Sequence, residues 1–314
     1  AADGSLLLFP EAFVMLVLGK TYQVAKSAVV PTLVPDKKLI DANSKLQIVG
    51  GIAGVSAAIP GALFAWIGPE WVLGLCAAVF AVATVFGFGI PASRVADRPV
   101  SPAERIELRS REIFMAASSM AVLRAVVGFT TFLLAFALRI GTPLSDVETM
   151  ARRLLAHLPL TGVRVIPPSG GFPKWWFGVV VFMAVVGGML GAVIAPRVRG
   201  FSEEVMLMAA LGLAGVAGVL ALVVSGLAGM SLLALLVAVA AAGGKQAFDA
   251  LVQRHAPDAD RGRSFARFEA RFQLFWVVGA VVPTAIAVPV PLGAVGVVLA
   301  AVLAIVSAKV GGLS

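Results

Sequence analysis

The sequence predicts an all-α, polytopic membrane protein. Three observations predict it. Of 314 residues, 60% are hydrophobic and only 13% charged, about half the charged share of a soluble domain. The mean hydropathy is +0.98, more apolar surface than a soluble core of this length can hide. The apolar residues also fall into segments of spanning length, and the basic residues gather beside alternate segments. Composition alone excludes disorder and the ordinary soluble enzymes.

A spanning helix needs about 20 mostly apolar residues, because hydrocarbon offers the backbone no partner outside the helix. Nine segments qualify, and about nine transmembrane helices are expected: Leu6–Val24, Ile48–Ile67, Val72–Ile90, Val122–Ile140, Phe177–Ala195, Val205–Val223, Leu232–Leu251, Phe272–Val288 and Leu292–Ser307. Gly68-Pro69-Glu70 and Val288-Pro289-Val290-Pro291 punctuate two of the joints. Two polar stretches carry capping boxes. Ser101-Pro102-Ala103-Glu104 opens a helix expected to lie on the inner surface as far as Ala116. Ser145-Asp146-Val147-Glu148 opens an amphipathic one at the outer interface, with His157 near its polar face.

Nine spans place alternate connections on alternate sides. Twenty of the 25 Lys and Arg then share one side, and Arg139, Arg152, Arg153, Arg164 and Lys174 share the other. The positive-inside rule makes the first side cytoplasmic, with the N-terminus outside and the C-terminus inside. Trp66, Trp71, Trp175 and Trp176 fall at expected outer ends, as an aromatic belt requires. The net charge of +8 is therefore read as topology and contact with anionic membrane lipid, not as nucleic-acid binding. One cysteine, Cys76, and two histidines, His157 and His255, leave no disulfide framework and no Cys/His metal cluster. No cofactor is expected.

The chain repeats itself. Ala25, Ala28, Val30, Pro35 and Asp36 match Ala247, Ala250, Val252, Pro257 and Asp258. Ala57, Pro60 and Ala62 match Ala280, Pro283 and Ala285. In both copies an inward span, a basic loop with Pro-Asp and an outward span with an internal proline follow one another. Six spans separate the copies, so they point the same way, as two parallel pseudo-repeats about the membrane normal.

The segment Val34-Pro35-Asp36-Lys37-Lys38-Leu39-Ile40-Asp41-Ala42-Asn43, after an inward span, resembles the loop between helices 4 and 5 of the major facilitator superfamily, in its exporter-like branch. Lys245-Gln246 through Arg263-Ser264-Phe265-Ala266 resembles the loop between helices 10 and 11. The resemblance implies helices 4–12 of a twelve-helix fold. Residues 1–91 would form a partial N-terminal bundle (helices 4–6), 92–121 a cytoplasmic linker, and 122–314 a six-helix C-terminal bundle. Helices 1–3 would lie upstream, and the opening Ala1 to Ser5 reads as an outer loop of a longer chain. The glycine-rich pattern of helix 5 is degenerate here, with Gly50, Gly51, Gly54 and Pro60-Gly61 but Ile59 before the proline.

Ionisable groups within spans are functional candidates. Glu11 is the candidate for proton coupling, its plainer reading being a carboxylate held at the outer surface. Lys245 and Asp249, four residues apart, are gating candidates, or a satisfied pair on one helix face. Arg263, Arg267 and Arg271 form a basic stripe, Arg263 and Arg267 as gating candidates or anchors to the inner leaflet. Arg124 opens a span and is expected to snorkel to the inner surface. Thr130, Thr131 and Gln246 are the polar side chains expected to line a cavity, with Gly243-Gly244 and Gly50-Gly51 allowing close helix approach.

The function expected is secondary active transport: export of a small amphipathic or hydrophobic solute by alternating access of two helical bundles, in the bacterial plasma membrane. Membrane lipid, a small-molecule substrate and a coupling proton are the expected partners. A non-transporting partner or anchoring module on the same fold stays open. No Gly-x-x-x-x-Gly-Lys-Ser/Thr loop for ATP occurs, and no cluster of His, Asp and Glu within the spans suggests an enzyme.

Overall fold

The computed structural model describes residues 39–88, 111–140, 172–198, 200–255, 261–286 and 288–310, with isolated positions between 14 and 34. Eight α-helices form among the described residues: α1 Leu39–Ile67, α2 Pro69–Gly87, α3 Arg111–Ile140, α4 Lys174–Ile194, α5 Glu203–Val223, α6 Gly226–His255, α7 Arg261–Ala285 and α8 Val290–Val310, with a 3-10 turn at Ala195–Val198 after α4. Six of them, α2 to α6 and α8, are long and apolar enough to cross a membrane. The first expected span, Leu6–Val24, lies outside the described residues apart from isolated helical positions, and the two interfacial helices lie almost wholly outside.

Local chemistry explains the joints. Pro69 occupies the first turn of α2, where its missing N–H costs nothing, directly after Gly68. Ser202 caps α5 by accepting a hydrogen bond from the Val205 amide at 3.4 Å, and Glu203 and Glu204 stand on the positive end of the helix. Gly226, at φ 72°, turns the chain straight from α5 into α6. Pro60 and Pro283, matched in the repeat, both sit inside helices, in α1 and α7.

Three helices begin nine or more residues earlier than apolarity suggests. α1 starts at Leu39 instead of Ile48, so residues 39–43, read as part of a loop, are helix. α3 starts at Arg111 instead of Val122, and Ile113, Ala116, Ala117, Met120 and Ala121 are buried core rather than linker. α7 starts at Arg261 instead of Phe272. Each addition brings in charged side chains, Asp41 and Lys45 in α1, Arg111 and Glu112 in α3 and the arginines of α7, without breaking the helix.

Helices α3 to α8 pack as one bundle. α3 lies against α6, α7 and α8, α6 against α4 and α5, and α5 against α8. Two core clusters follow one another along it. One centres on Met120, Leu123, Leu211, Phe248 and Phe272, the other on Val126, Leu134, Leu233, Val237 and Val297. Lipid gives helices no hydrophobic reason to associate, so close packing of small residues must do it. Gly187 and Gly191 press one face of α4 onto the backbone of α6 at Leu235 and Val239. Gly128 of α3 meets the Trp276 carbonyl of α7, while Gly279 of α7 meets the Ala125 carbonyl of α3. Helix α1 docks on α4 and α6, and α2 packs on α1 with none of its span buried.

Candidate functional site

The two helices α1 and α2 meet the six-helix bundle through a polar junction. Ser44 and Gln47 lie three residues apart, hence on one face of α1. The Ser44 hydroxyl donates to Gln246 Oε1. Gln246 Nε2 donates to Gln47 Oε1 at 3.3 Å, and Gln47 Nε2 donates to the Gly188 carbonyl of α4 at 3.3 Å. A single chain of hydrogen bonds thus ties α1 to α6 and α4. Ser44 and Gln246 are each only 2% exposed, so the chain sits where an unmade bond costs most. One turn on, Gly51 faces the Met189 side chain.

Beside this junction lies a group of four charges. Lys245 Nζ is 2.5 Å from Asp249 Oδ1 on its own helix and 3.7 Å from Glu269 Oε2 on α7. Arg124 of α3 stands close enough to act electrostatically on Asp249. Its Nε is buried without a hydrogen-bond partner. Because α3 begins at Arg111, Arg124 lies about 20 Å along its helix at 1.5 Å per residue. It is half-buried in the bundle, beside the pair formed by Lys245 and Asp249.

Further along the bundle, α3, α4 and α6 line a cavity of about 160 Å³ that is open on one side, where Thr131, Phe177 and Val181 are exposed. Thr130 and Thr131 line it, with Val180 and Ala184 of α4 and Ala234 and Ala238 of α6. Gln246 follows Ala238 by eight residues, so the cavity lies about 12 Å from the junction along α6.

The structure therefore sorts the sequence candidates. Thr130 and Thr131 border one cavity. Gln246 does not line it, because its amide is taken up by α1. Lys245 and Asp249 form the ion pair read from their spacing. Arg267 is exposed on α7. Arg271 is exposed too, its guanidinium 5.7 Å from the centre of the Phe114 ring. The side chain of Arg263 and all of Glu11 lie outside the described residues. Gly244 packs against Leu123, whereas a Cβ at Gly50 or Gly243 would meet open space. Sequence reasoning missed Ser44, Gln47 and Glu269. The signal for the first two was a pair of polar residues at helical spacing directly before an apolar run. Among the described residues, no group of three or more His, Cys, Asp and Glu side chains gathers to hold a metal.

A solved transporter shares this fold. It is a bacterial homologue of the iron transporter ferroportin, in its outward-facing state. The superposition covers 95% of this chain and 69% of that one, with a TM-score of 0.61 and 20% identity. At that identity the likeness is one of fold, all-helical and of the major facilitator type. No protein-family model matches the sequence, and no curated protein matches it.

Proposed function

We propose that the protein is a secondary active transporter of the major facilitator superfamily, in its exporter-like branch. It moves a small amphipathic or hydrophobic solute by alternating access between two bundles. In this reading α1 and α2 belong to the first bundle (residues 1–91), α3 to α8 form the second, and because α3 begins at Arg111 the linker between them ends there instead of at 121. The chain lies in a bacterial plasma membrane with its C-terminus inside.

One observation carries the proposal. α1 is clasped to α4 and α6 near its start, by Ser44 and Gln47, while Ile59, Leu63 and Ile67 towards its other end stand exposed. Contact near one end and exposure at the other is what two bundles closed on a single side require. The clasped end carries Lys45, Lys245 and Arg254, so the positive-inside rule makes it cytoplasmic. The apolar cavity suits a hydrophobic solute. Lys245, Asp249, Arg263 and Arg267 form the cytoplasmic gate region. Glu11 is the proton site, so Glu11→Gln removes the pH-gradient dependence of transport while leaving insertion intact.

The decisive experiment is a disulfide across the clasp. Ser44→Cys with Gln246→Cys, on a Cys76→Ser background in proteoliposomes, is expected to stop solute flux when oxidised and to release it on reduction. Flux that is indifferent to the cross-link sinks alternating access at this junction.

A further inference from the structure

The cavity between α3, α4 and α6 holds a specific unmet need. Thr130 is only 3% exposed, and its Oγ1 is buried with no hydrogen-bond partner. The adjacent Thr131 shows the usual solution for a threonine inside a helix, since its Oγ1 donates to the Val127 carbonyl at 2.7 Å. Both residues line the same cavity. The rest of its wall is hydrocarbon, with no charged side chain. Ser231 lies three residues before Ala234 and seven before Ala238, on the same face of α6. Its Oγ is likewise buried and unpartnered. An unpaired hydroxyl in an apolar wall costs free energy that a guest with one polar group recovers.

Size narrows the guest. A volume of about 150 Å³ takes a benzene-sized molecule, and this open-sided cavity measures about 160 Å³. A threonine hydroxyl both donates and accepts, so a guest hydroxyl or carbonyl answers it equally well. A charged guest finds no counterion in this wall. We infer that this cavity binds a small neutral molecule, a single ring or short chain with one hydroxyl or carbonyl, whose polar atom hydrogen-bonds Thr130 Oγ1. The inference rests on the transport reading in naming this class as the solute carried, but the site itself is testable without transport.

The probes are 4-ethylphenol and 4-ethyltoluene, which match in shape and differ in the hydroxyl. Equilibrium dialysis of the 314-residue chain in nanodiscs, against empty nanodiscs, measures each. Saturable binding of 4-ethylphenol above the empty-disc level is expected. Thr130→Val weakens it about fivefold, the worth of one ordinary hydrogen bond, and leaves 4-ethyltoluene within about twofold. Thr130→Ser, which keeps the hydroxyl, leaves both probes within about twofold. Ala184→Phe fills the cavity and removes saturable binding of both. No saturable binding, equal affinity of the Thr130→Val variant for 4-ethylphenol, or binding that survives Ala184→Phe overturns the site and leaves a crevice filled by lipid chains. Counterflow of 4-ethylphenol in proteoliposomes separates the two readings. Binding without flux removes the transport reading and keeps the site, whereas flux of other solutes with no binding here removes the site and keeps transport.

Discussion

Lys245 holds two carboxylates at once, Asp249 at 2.5 Å and Glu269 at 3.7 Å, with all three side chains mostly buried. Arg124 supplies the second positive charge from α3. The group is balanced, two cations against two anions, and removing one member leaves a charge with no water to solvate it. Breaking a buried pair by deleting one partner costs about 3–5 kcal/mol, far more than the pair contributes when intact. Lys245→Met is therefore expected to destabilise the protein by about that amount in denaturant unfolding from detergent micelles. The double variant Lys245→Met/Asp249→Asn is expected to recover more than half of the loss. Equal losses in the single and double variants would show that the cluster is solvated. At the same scale, Ser44 and Gln47 illustrate why a hydrogen-bond chain specifies a contact. Gln246 spends both ends of its amide on α1, and Gln47 spends its two ends on α6 and α4, so sliding α1 by one turn breaks all three bonds together.

Helix pairs in this bundle are set by where glycine faces a backbone. On α4, Gly187 and Gly188 are sequence neighbours with opposite surroundings. A Cβ at Gly187 would run into the Leu235 carbonyl, and one at Gly188 would meet nothing within 4 Å. Gly187→Ala must push α4 from α6, and overpacking of this kind costs about 1–3 kcal/mol. Gly188→Ala removes a poor helix former at no steric cost and is expected to be neutral or slightly stabilising. Thermal melts of the two purified variants make the comparison. A larger loss at Gly188 than at Gly187 would mean that the α4–α6 approach is wrong. Gly128 and Gly279 set the α3–α7 pair in the same way, and their reciprocity makes it doubly sensitive. An alanine at either position meets a carbonyl that cannot rotate away.

At the scale of the molecule, the six-helix bundle is joined to α1 near the end marked by Lys45, Lys245 and Arg254, while aromatic pairs mark the other. Trp176 stacks on Phe172 with ring centres 4.6 Å apart, and Trp71 stacks on Phe64 at 6.3 Å. Interfacial aromatics and one-sided basic charge together orient a bundle in lipid. The expected topology is checked with single cysteines on a Cys76→Ser background. A cysteine at Gly226, in the α5–α6 turn, should react with an impermeant maleimide from outside intact cells. A cysteine at Lys309 should react only once the cells are opened. The reverse pattern would invert the orientation and put the clasp on the outer face.

Much of this architecture was legible in the sequence, because a membrane imposes it locally. Backbone groups in hydrocarbon must be paired within the segment, so runs of apolar residues announce helices, and the punctuation at Gly68-Pro69 and Pro289 announces their ends. The i,i+4 spacing of Lys245 and Asp249 announced their pair for the same reason: it is a property of one helix. The errors lie where helices outrun the apolar run. Leu39 to Gln47 and Arg261 to Arg271 are helical although polar, and Arg111 to Ala121 although it opens on two charges, because hydropathy reports where a chain meets lipid, not where its hydrogen bonds stop. What only the tertiary structure decided is which faces meet. Gln246 was expected in a cavity and instead bonds Ser44, 202 residues away in the chain. Glu269 joined Lys245 from another helix, and Thr130 was left unpaired while Thr131 was not. A helix presents every side of itself to the sequence alike. Without a hydrophobic contrast between lipid and neighbour, only the fit of small residues and polar pairs between helices selects the inward face.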